Sequence, residues 1–291
     1  MKKLGIFCLI AMSLIVSSCS QPKNENKAET AKQENTASTD DLVLVQGGTF
    51  VNTKSNYFNR NVTIADFYIG KYEVTQQEWI DVMGGNPSQF KGSKLPVEMV
   101  SWYDVIEYCN KRSVKEGLTP YYKVDIDKPD PANKSEIDTV KWTVTVNEGA
   151  NGYRLPNDAE WEYAAGGGQS SKSFKYSGSD NADDVAWGWR NAGDKPLDGD
   201  WNWPAIENNH TQTKEVGLKK PNELGLYDMS GNVREWVWDW FQDENYASGL
   251  FRIVRGGGWI GDVVNNESTY RGKFDANGFG PDQGFRVSRN K

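Results

Sequence analysis

The apolar positions of this chain fall into short runs whose period keeps changing. Leu4 to Val16 are one nearly unbroken apolar stretch directly after Lys2 and Lys3, and Ser17-Ser18-Cys19 closes it with small residues. A basic start, a short apolar run and a small-residue end are the parts of a secretory signal peptide, and the run is too short to span a bilayer as a helix. From Ser20 to Asp40 the apolar residues reduce to alanines and Pro22. Such a stretch buries too little to offset its ordering entropy, so a disordered tether is expected.

Beyond the tether, Leu42–Val45 reads as a strand that turns at Gly47-Gly48, and residues 66–74 alternate well enough for a second strand. Thr75-Gln76-Gln77-Glu78 is a capping box and predicts a helix from Gln76 to about Met83. Ser101 opens another in the same way, with Asp104 as the reciprocal acid. Behind it Trp102, Val105, Ile106 and Cys109 recur at helical spacing, and Gly117 marks the end. Residues 121–125 and 141–146 read as strands joined by a polar loop over 127–138. Asn157 and Glu160 cap a short helix that stops at Gly166. From Asn181 to Gln212 periodicity fades, which predicts long ordered loops held by Trp187, Trp189, Trp201 and Trp203.

Composition narrows the function. The chain has 291 residues with 29 glycines and 12 tryptophans, which suits one large loop-rich domain, 41–291, pinned by buried aromatics. A net charge of −7 without a Lys/Arg cluster argues against nucleic acid. Of three cysteines, Cys8 lies in the leader and Cys19 ends it, leaving Cys109 as a buried thiol with no intrachain partner. The single histidine, His210, cannot build a His-rich metal site and makes a Ser-His-Asp triad implausible. Val16-Ser17-Ser18-Cys19 resembles a bacterial lipobox. It implies a lipidated Cys19 and a protein anchored at the bacterial outer membrane or cell surface.

Several islands then occur in a fixed order: VQGGTF (45–50), DFYIGKYEVT (66–75), Pro96-Val97 with VSWYD (100–104), GYRLPNDAEWEYAAGG (152–167), PNELGLYDMSGNVREWVWDW (221–240), RGGGW (255–259) and GFRVSR (284–289). Together they resemble the formylglycine-generating enzyme, or sulfatase-modifying factor, family over essentially the whole domain. The resemblance implies an α+β fold, the irregular loop-rich variant of the C-type lectin fold.

Enzymes of that family oxidise a substrate cysteine with a cysteine pair that binds copper shortly after the RGG island. Here Ile260 to Arg271 contain no thiol, and serine or asparagine are weak donors for Cu(I). A sulfoxide-synthase branch holds iron with histidines, which one histidine cannot supply. Neither copper nor iron is therefore expected, and the chain reads as non-catalytic. The resemblance also carries over a calcium site: the Asp228 side chain, the Gly231 and Val233 carbonyls and the Glu235 side chain, a donor set suited to a hard cation. The alternative is that Asp228 and Glu235 cap turns or pair with Arg234 or Arg255. Arg255 and Arg286 read as buried structural arginines.

The same fold has a non-enzymatic branch that includes the variable proteins of diversity-generating retroelements, some of them surface lipoproteins. In these, a segment between an RGG-(Ser/Gly)-Trp island and a GFR island is diversified for binding, and this chain looks like that group. The expected ligand contacts are Trp259, Ile260, Asp262, Val263, Asn265, Asn266, Ser268, Thr269, Tyr270, Lys273, Phe274, Asp275, Asn277, Phe279 and Asp282, joined by Phe241, Asp243 and Asn245. The partner would be a protein or a glycan. Trp236, Trp238 and Trp240 share one face if extended, either as a sugar platform or, the favoured reading, as core. The function expected is a surface-tethered ligand-binding lipoprotein, with a structural or assembly lipoprotein of a cell-envelope machine as the alternative.

Overall fold

A computed structural model describes residues 41–51 and 61–291; the leader, Cys19 and the tether lie outside them. The described chain enters through β1 (Leu42–Val45). β2 (Gly48–Val51) and β3 (Asn61–Ile64) pair with each other before β4 (Phe67–Gly70) returns antiparallel beside β1. Two helices follow, α1 (Gln76–Met83) and α2 (Trp102–Lys115). Next come the antiparallel β5 (Tyr122–Pro129) and β6 (Trp142–Val146), and then α3 (Asp158–Ala165). Short elements punctuate the middle: α4 (Ala182–Val185), β7 (Ala186–Trp187) and α5 (Trp203–Asn208). The C-terminal part supplies β8 (Ser230–Gly231), β9 (Arg234–Trp240), β10 (Arg252–Arg255), β11 (Gly272–Phe274), β12 (Gln283–Gly284) and β13 (Ser288–Asn290).

Three helix starts follow directly from local sequence. Thr75, Ser101 and Asn157 are all extended and accept the amide three residues on, while Glu78, Asp104 and Glu160 reach back to the cap backbone. Each such box is worth about 1 kcal/mol against alanine at the cap. The predicted strand over 66–74 is cut to β4, because after Gly70 the backbone turns to bond other segments: Lys71 donates to Asp41 and Val74 to Phe285. β5 runs on to Pro129, into the start of the expected loop.

The main sheet has the order β11-β10-β9-β12, with β12 parallel to β9 and the other pairs antiparallel. β4 lies between β1 and β13, so the first and last strands share one neighbour. β9 is buried on both faces. On one, Trp236 joins the cluster that holds Trp102, Ile106 and Cys109 of α2; on the other, Val237 joins Phe67, Ile69, Trp161 and Ile253. The two central indoles are satisfied: Trp102 Nε1 donates to the Val237 carbonyl at 3.1 Å and Trp236 Nε1 to that of Val100 at 2.9 Å.

The tryptophan row of β9 is therefore core. Trp238 lies 5.3 Å from Trp102 and stacks on Tyr122 at 5.1 Å, and Trp240 covers the Arg252 guanidinium at 3.6 Å. Cys109 is fully buried, and burial pushes its thiol up to about 12, an inert group. Among the described residues no helix is long and apolar enough to cross a membrane.

Candidate recognition face

The stretch 228–235 is a folded hub. Asp228 and Asn232 hold left-handed backbones at φ 55° and 64°, and Gly231 does so at 81°, where a Cβ would lie 2.3 Å from the Trp187 carbonyl oxygen. Glu235 is fully buried with both oxygens engaged. Arg286 Nη2 donates to Oε1 at 2.6 Å, Arg286 Nε to Oε2 at 2.7 Å, and Trp161 Nε1 to Oε2 at 2.6 Å. Asp228 Oδ2 accepts from the Gly217 amide at 2.7 Å, while Oδ1 is buried without a hydrogen-bond partner. Glu73, from the loop after β4, accepts from Asn232 Nδ2 at 2.6 Å and from the Val233 amide at 3.0 Å.

Of the expected calcium donors Asp228, Gly231, Val233 and Glu235, the Glu235 carboxylate is already engaged on both oxygens. The Arg286 guanidinium occupies the carboxylate of Glu235, and no group of three or more His, Cys, Asp or Glu side chains among the described residues is disposed to hold a metal. Asp228 alone keeps a free oxygen. Nor does Glu235 pair with Arg234 or Arg255. Arg234 bonds Asp282 at 2.7 Å, and Arg255 bonds Asp158 and Glu162 at 2.5 and 2.7 Å. Burial, with Glu235 adding to it, raises the Asp228 carboxyl to about 6. Burial first, then Asp228 and Glu235, raises Glu73 well above the usual range.

Arg255 also anchors the segment beyond it, donating from Nη1 to the Tyr270 carbonyl at 3.0 Å. Gly257 lets that segment fold back: at φ 70°, a Cβ there would meet Asn266 Oδ1 at 2.1 Å. Asp262 and Asn265 then cap a short 3-10 turn over Val263–Asn266, which lines a shallow cleft with Gly188, Trp189 and Asn191.

The expected contact residues divide sharply. Five are interior. Trp259 donates from Nε1 to the Pro281 carbonyl at 2.8 Å and packs edge-on against Phe90. Asn266 lies under the turn, where its carbonyl accepts from Ser230 Oγ. The Ser268 backbone bonds the Lys175 carbonyl, Asp282 is held by Arg234, and Phe241 packs against Tyr246. These five are corrected from ligand contacts to scaffold.

Four more are half-buried and engaged: Phe274 against Trp236 at 6.0 Å and under Arg234, Asn277 on Thr139, Lys273 over Tyr246 at 4.1 Å, and Asn265 in the cap. Ile260, Thr269 and Asp275 are half-buried as well. Asp243, Asn245, Asp262, Val263 at 40 %, Tyr270 at 36 % and Phe279 at 58 % are exposed. Asp243 and Asn245 form a local turn at the end of β9, with the Asn245 amide donating to Asp243 Oδ1 at 2.8 Å.

Three exposed side chains outside the expected contact set belong with the outer group. Val264 is 50 % exposed in the 3-10 turn. Trp201 and Trp203 were expected to pin their loop, yet 48 % and 39 % of their surfaces face solvent. Trp201 Nε1 donates to the Ile260 carbonyl at 2.9 Å, which ties this loop to the C-terminal segment. The available signal was their setting. They alternate with Asn202 after an acidic stretch that lacks any apolar periodicity.

Residues 27–291 match the sulfatase-modifying factor enzyme 1-like domain. The chain belongs to that family. It is 61 % identical over 291 residues, the whole of both chains, to the chaperone protein LppX of Paenibacillus barcinonensis. It is 33 % identical over 130 residues to the formylglycine-generating enzyme of Streptomyces coelicolor, a match covering 38 % of this chain and 37 % of that one. Among solved structures, Treponema denticola variable protein 1 is similar with a TM-score of 0.69 and 31 % identity, over 86 % of this chain and 94 % of that one. CarF follows at 0.62 and 29 %, over 86 % and 98 %. The fold is thus the loop-rich α+β fold of this family.

Proposed function

We propose that this family member is a non-catalytic, lipid-tethered binding protein whose C-terminal face engages another polypeptide, in the manner of a folding helper. The observation that carries this reading is the outer surface of 260–279. Val263, Val264, Tyr270 and Phe279 are exposed on a backbone held from beneath by buried arginine pairs. Exposed apolar side chains on a rigid base are what a polypeptide-binding surface needs. The chaperone designation of the relative that matches over its full length supports the same class of partner. The missing thiols support a role other than cysteine oxidation, and Cys19 supplies the tether.

The test is whether the purified protein suppresses aggregation of a chemically denatured reporter enzyme on dilution. The expected result is suppression by the natural chain and its loss in Val263→Ser/Val264→Ser/Phe279→Ser. Failure of the natural chain to suppress, an undiminished variant, or conversion of a cysteine-containing sulfatase peptide would overturn the reading.

The likeness to the Treponema variable protein favours a finer reading, in which this segment is diversified between gene copies. A nearby near-copy of the gene's 3′ end that differs mainly at adenines, beside a reverse-transcriptase gene, is the expected result. Flanking DNA without either contradicts diversification and leaves polypeptide binding untouched.

A further inference from the structure

Trp201 and Trp203 are a surface feature that packing does not require. Two indoles with this much exposure on one loop are rare on a soluble surface and mark contact sites. Their rings lie 6.5 Å apart at an inclination of 28°, a loosely stacked and partly exposed aromatic pair. The pair is held in place. Trp201 donates to the Ile260 carbonyl at 2.9 Å, Trp203 leans on buried Trp259 at 6.4 Å, and Asn202 between them caps α5 by accepting the Ala205 amide at 3.0 Å. It is therefore continuous with the start of the C-terminal segment.

The charge of its surroundings is mostly negative. Asp194, Asp198, Asp200 and Glu207 are exposed on the same loop and α5, and Asp262 is exposed where the C-terminal segment begins. Of the cations nearby, Arg190 already lies 4.3 Å over the Trp189 ring and donates to the Gly199 carbonyl at 2.7 Å, which leaves Lys195 in the loop. Aromatic faces attract cations, and carboxylates around them add a long-range pull in the same direction.

We propose that Trp201 and Trp203 form a cation-accepting subsite that takes a lysine or arginine side chain, with apolar neighbours, from the bound polypeptide. This rests on the polypeptide-binding reading above and names the chemistry of what is bound. The apolar neighbours meet Ile260, Val263 and Val264, and the basic side chain lies across the indoles. A neutral sugar could stack on the same rings, but it would be indifferent to the carboxylates.

Tryptophan fluorescence titration of the full chain tests this with three probes: a short peptide alternating leucine and lysine, its glutamate twin, and a neutral maltooligosaccharide. The lysine peptide is expected to bind at least about tenfold more tightly than the glutamate twin, more weakly as salt is added, with no response to the sugar. Trp201→Ala/Trp203→Ala should remove that preference. Asp198→Asn/Asp200→Asn should weaken it while leaving the indoles and the circular dichroism spectrum unchanged, which separates recognition from folding. Equal affinity for the two peptides, unchanged binding in both variants, or displacement of the peptide by the sugar would overturn the subsite. If the natural chain binds neither denatured reporter nor peptide, the polypeptide-binding reading falls with it. If reporter binding persists and still depends on Val263, Val264 and Phe279 while the tryptophan variant matches the natural chain, the subsite alone fails.

Discussion

The C-terminal islands of this chain have an inside and an outside that obey different rules. Inside, the buried arginines are matched to carboxylates at hydrogen-bond distance: Arg286 with Glu235, Arg255 with Asp158 and Glu162, Arg271 with Asp158. Outside, from Ile260 to Phe279, the chain exposes two valines, two aromatic rings and short polar side chains that mostly bond within their own turn. The inside supplies the hydrogen bonds that hold the backbone on which the outer side chains stand. A scaffold needs the first property and a recognition surface needs the second.

The largest expected effect comes from breaking the inside. Arg286→Ala leaves Glu235 buried and unpaired beside Glu73 and Asp228, at a cost of about 3–5 kcal/mol. Chemical denaturation should show that loss. A change below about 1 kcal/mol would mean that the Arg286–Glu235 pair contributes little to the core.

Next in size, Asp158→Asn weakens the hold on both Arg255 and Arg271 and should cost about 2–3 kcal/mol, again read by denaturation. Because Arg255 also holds the Tyr270 carbonyl, reporter binding should fall with it. Intact binding in a destabilised variant would separate the two regions more fully than the geometry implies.

Acidity acts most strongly on the inside. Burial raises Asp228 and Asp239 to about 6 and Glu98 to about 7, against 3.8 and 4.5 for the exposed groups. The folded chain therefore holds more protons than the unfolded chain between about pH 4 and 7, and its stability falls as pH rises through that window. The melting temperature should be higher near pH 5 than near pH 8. A monotonic rise from pH 5 to 8 would contradict the burial of these carboxyls.

The smallest stability effect belongs to the outside. Val263→Ser/Val264→Ser should change unfolding free energy by less than about 0.5 kcal/mol per site while reducing client binding.

How much of this was legible in the sequence follows the same division. The helix caps at Thr75, Ser101 and Asn157 need only residues three apart, and all three formed as read. The alternation of Trp236, Trp238 and Trp240 gave a shared face, and the buried sheet made that face core. The engagement of Glu235 was not legible because spacing along 228–235 says nothing of Arg286, about fifty residues on, which β12 brings to Glu235. Trp259, Asn266, Ser268 and Asp282 were misjudged for a related reason. In a segment without periodicity, polar and aromatic residues carry no mark of which way they point, and all four are held by partners far along the chain. Trp201 and Trp203 erred in the opposite direction: tryptophan usually signals core, and here the acidic loop leaves the pair outside.

The measurement that bears most directly on the account is reporter aggregation assayed with the natural chain, Val263→Ser/Val264→Ser/Phe279→Ser and Arg286→Lys side by side. Suppression by the natural chain, its loss in the first variant at unchanged melting temperature, and its retention in folded Arg286→Lys are the predicted results. Suppression that survives in the valine and phenylalanine variant would show that binding resides elsewhere on the molecule.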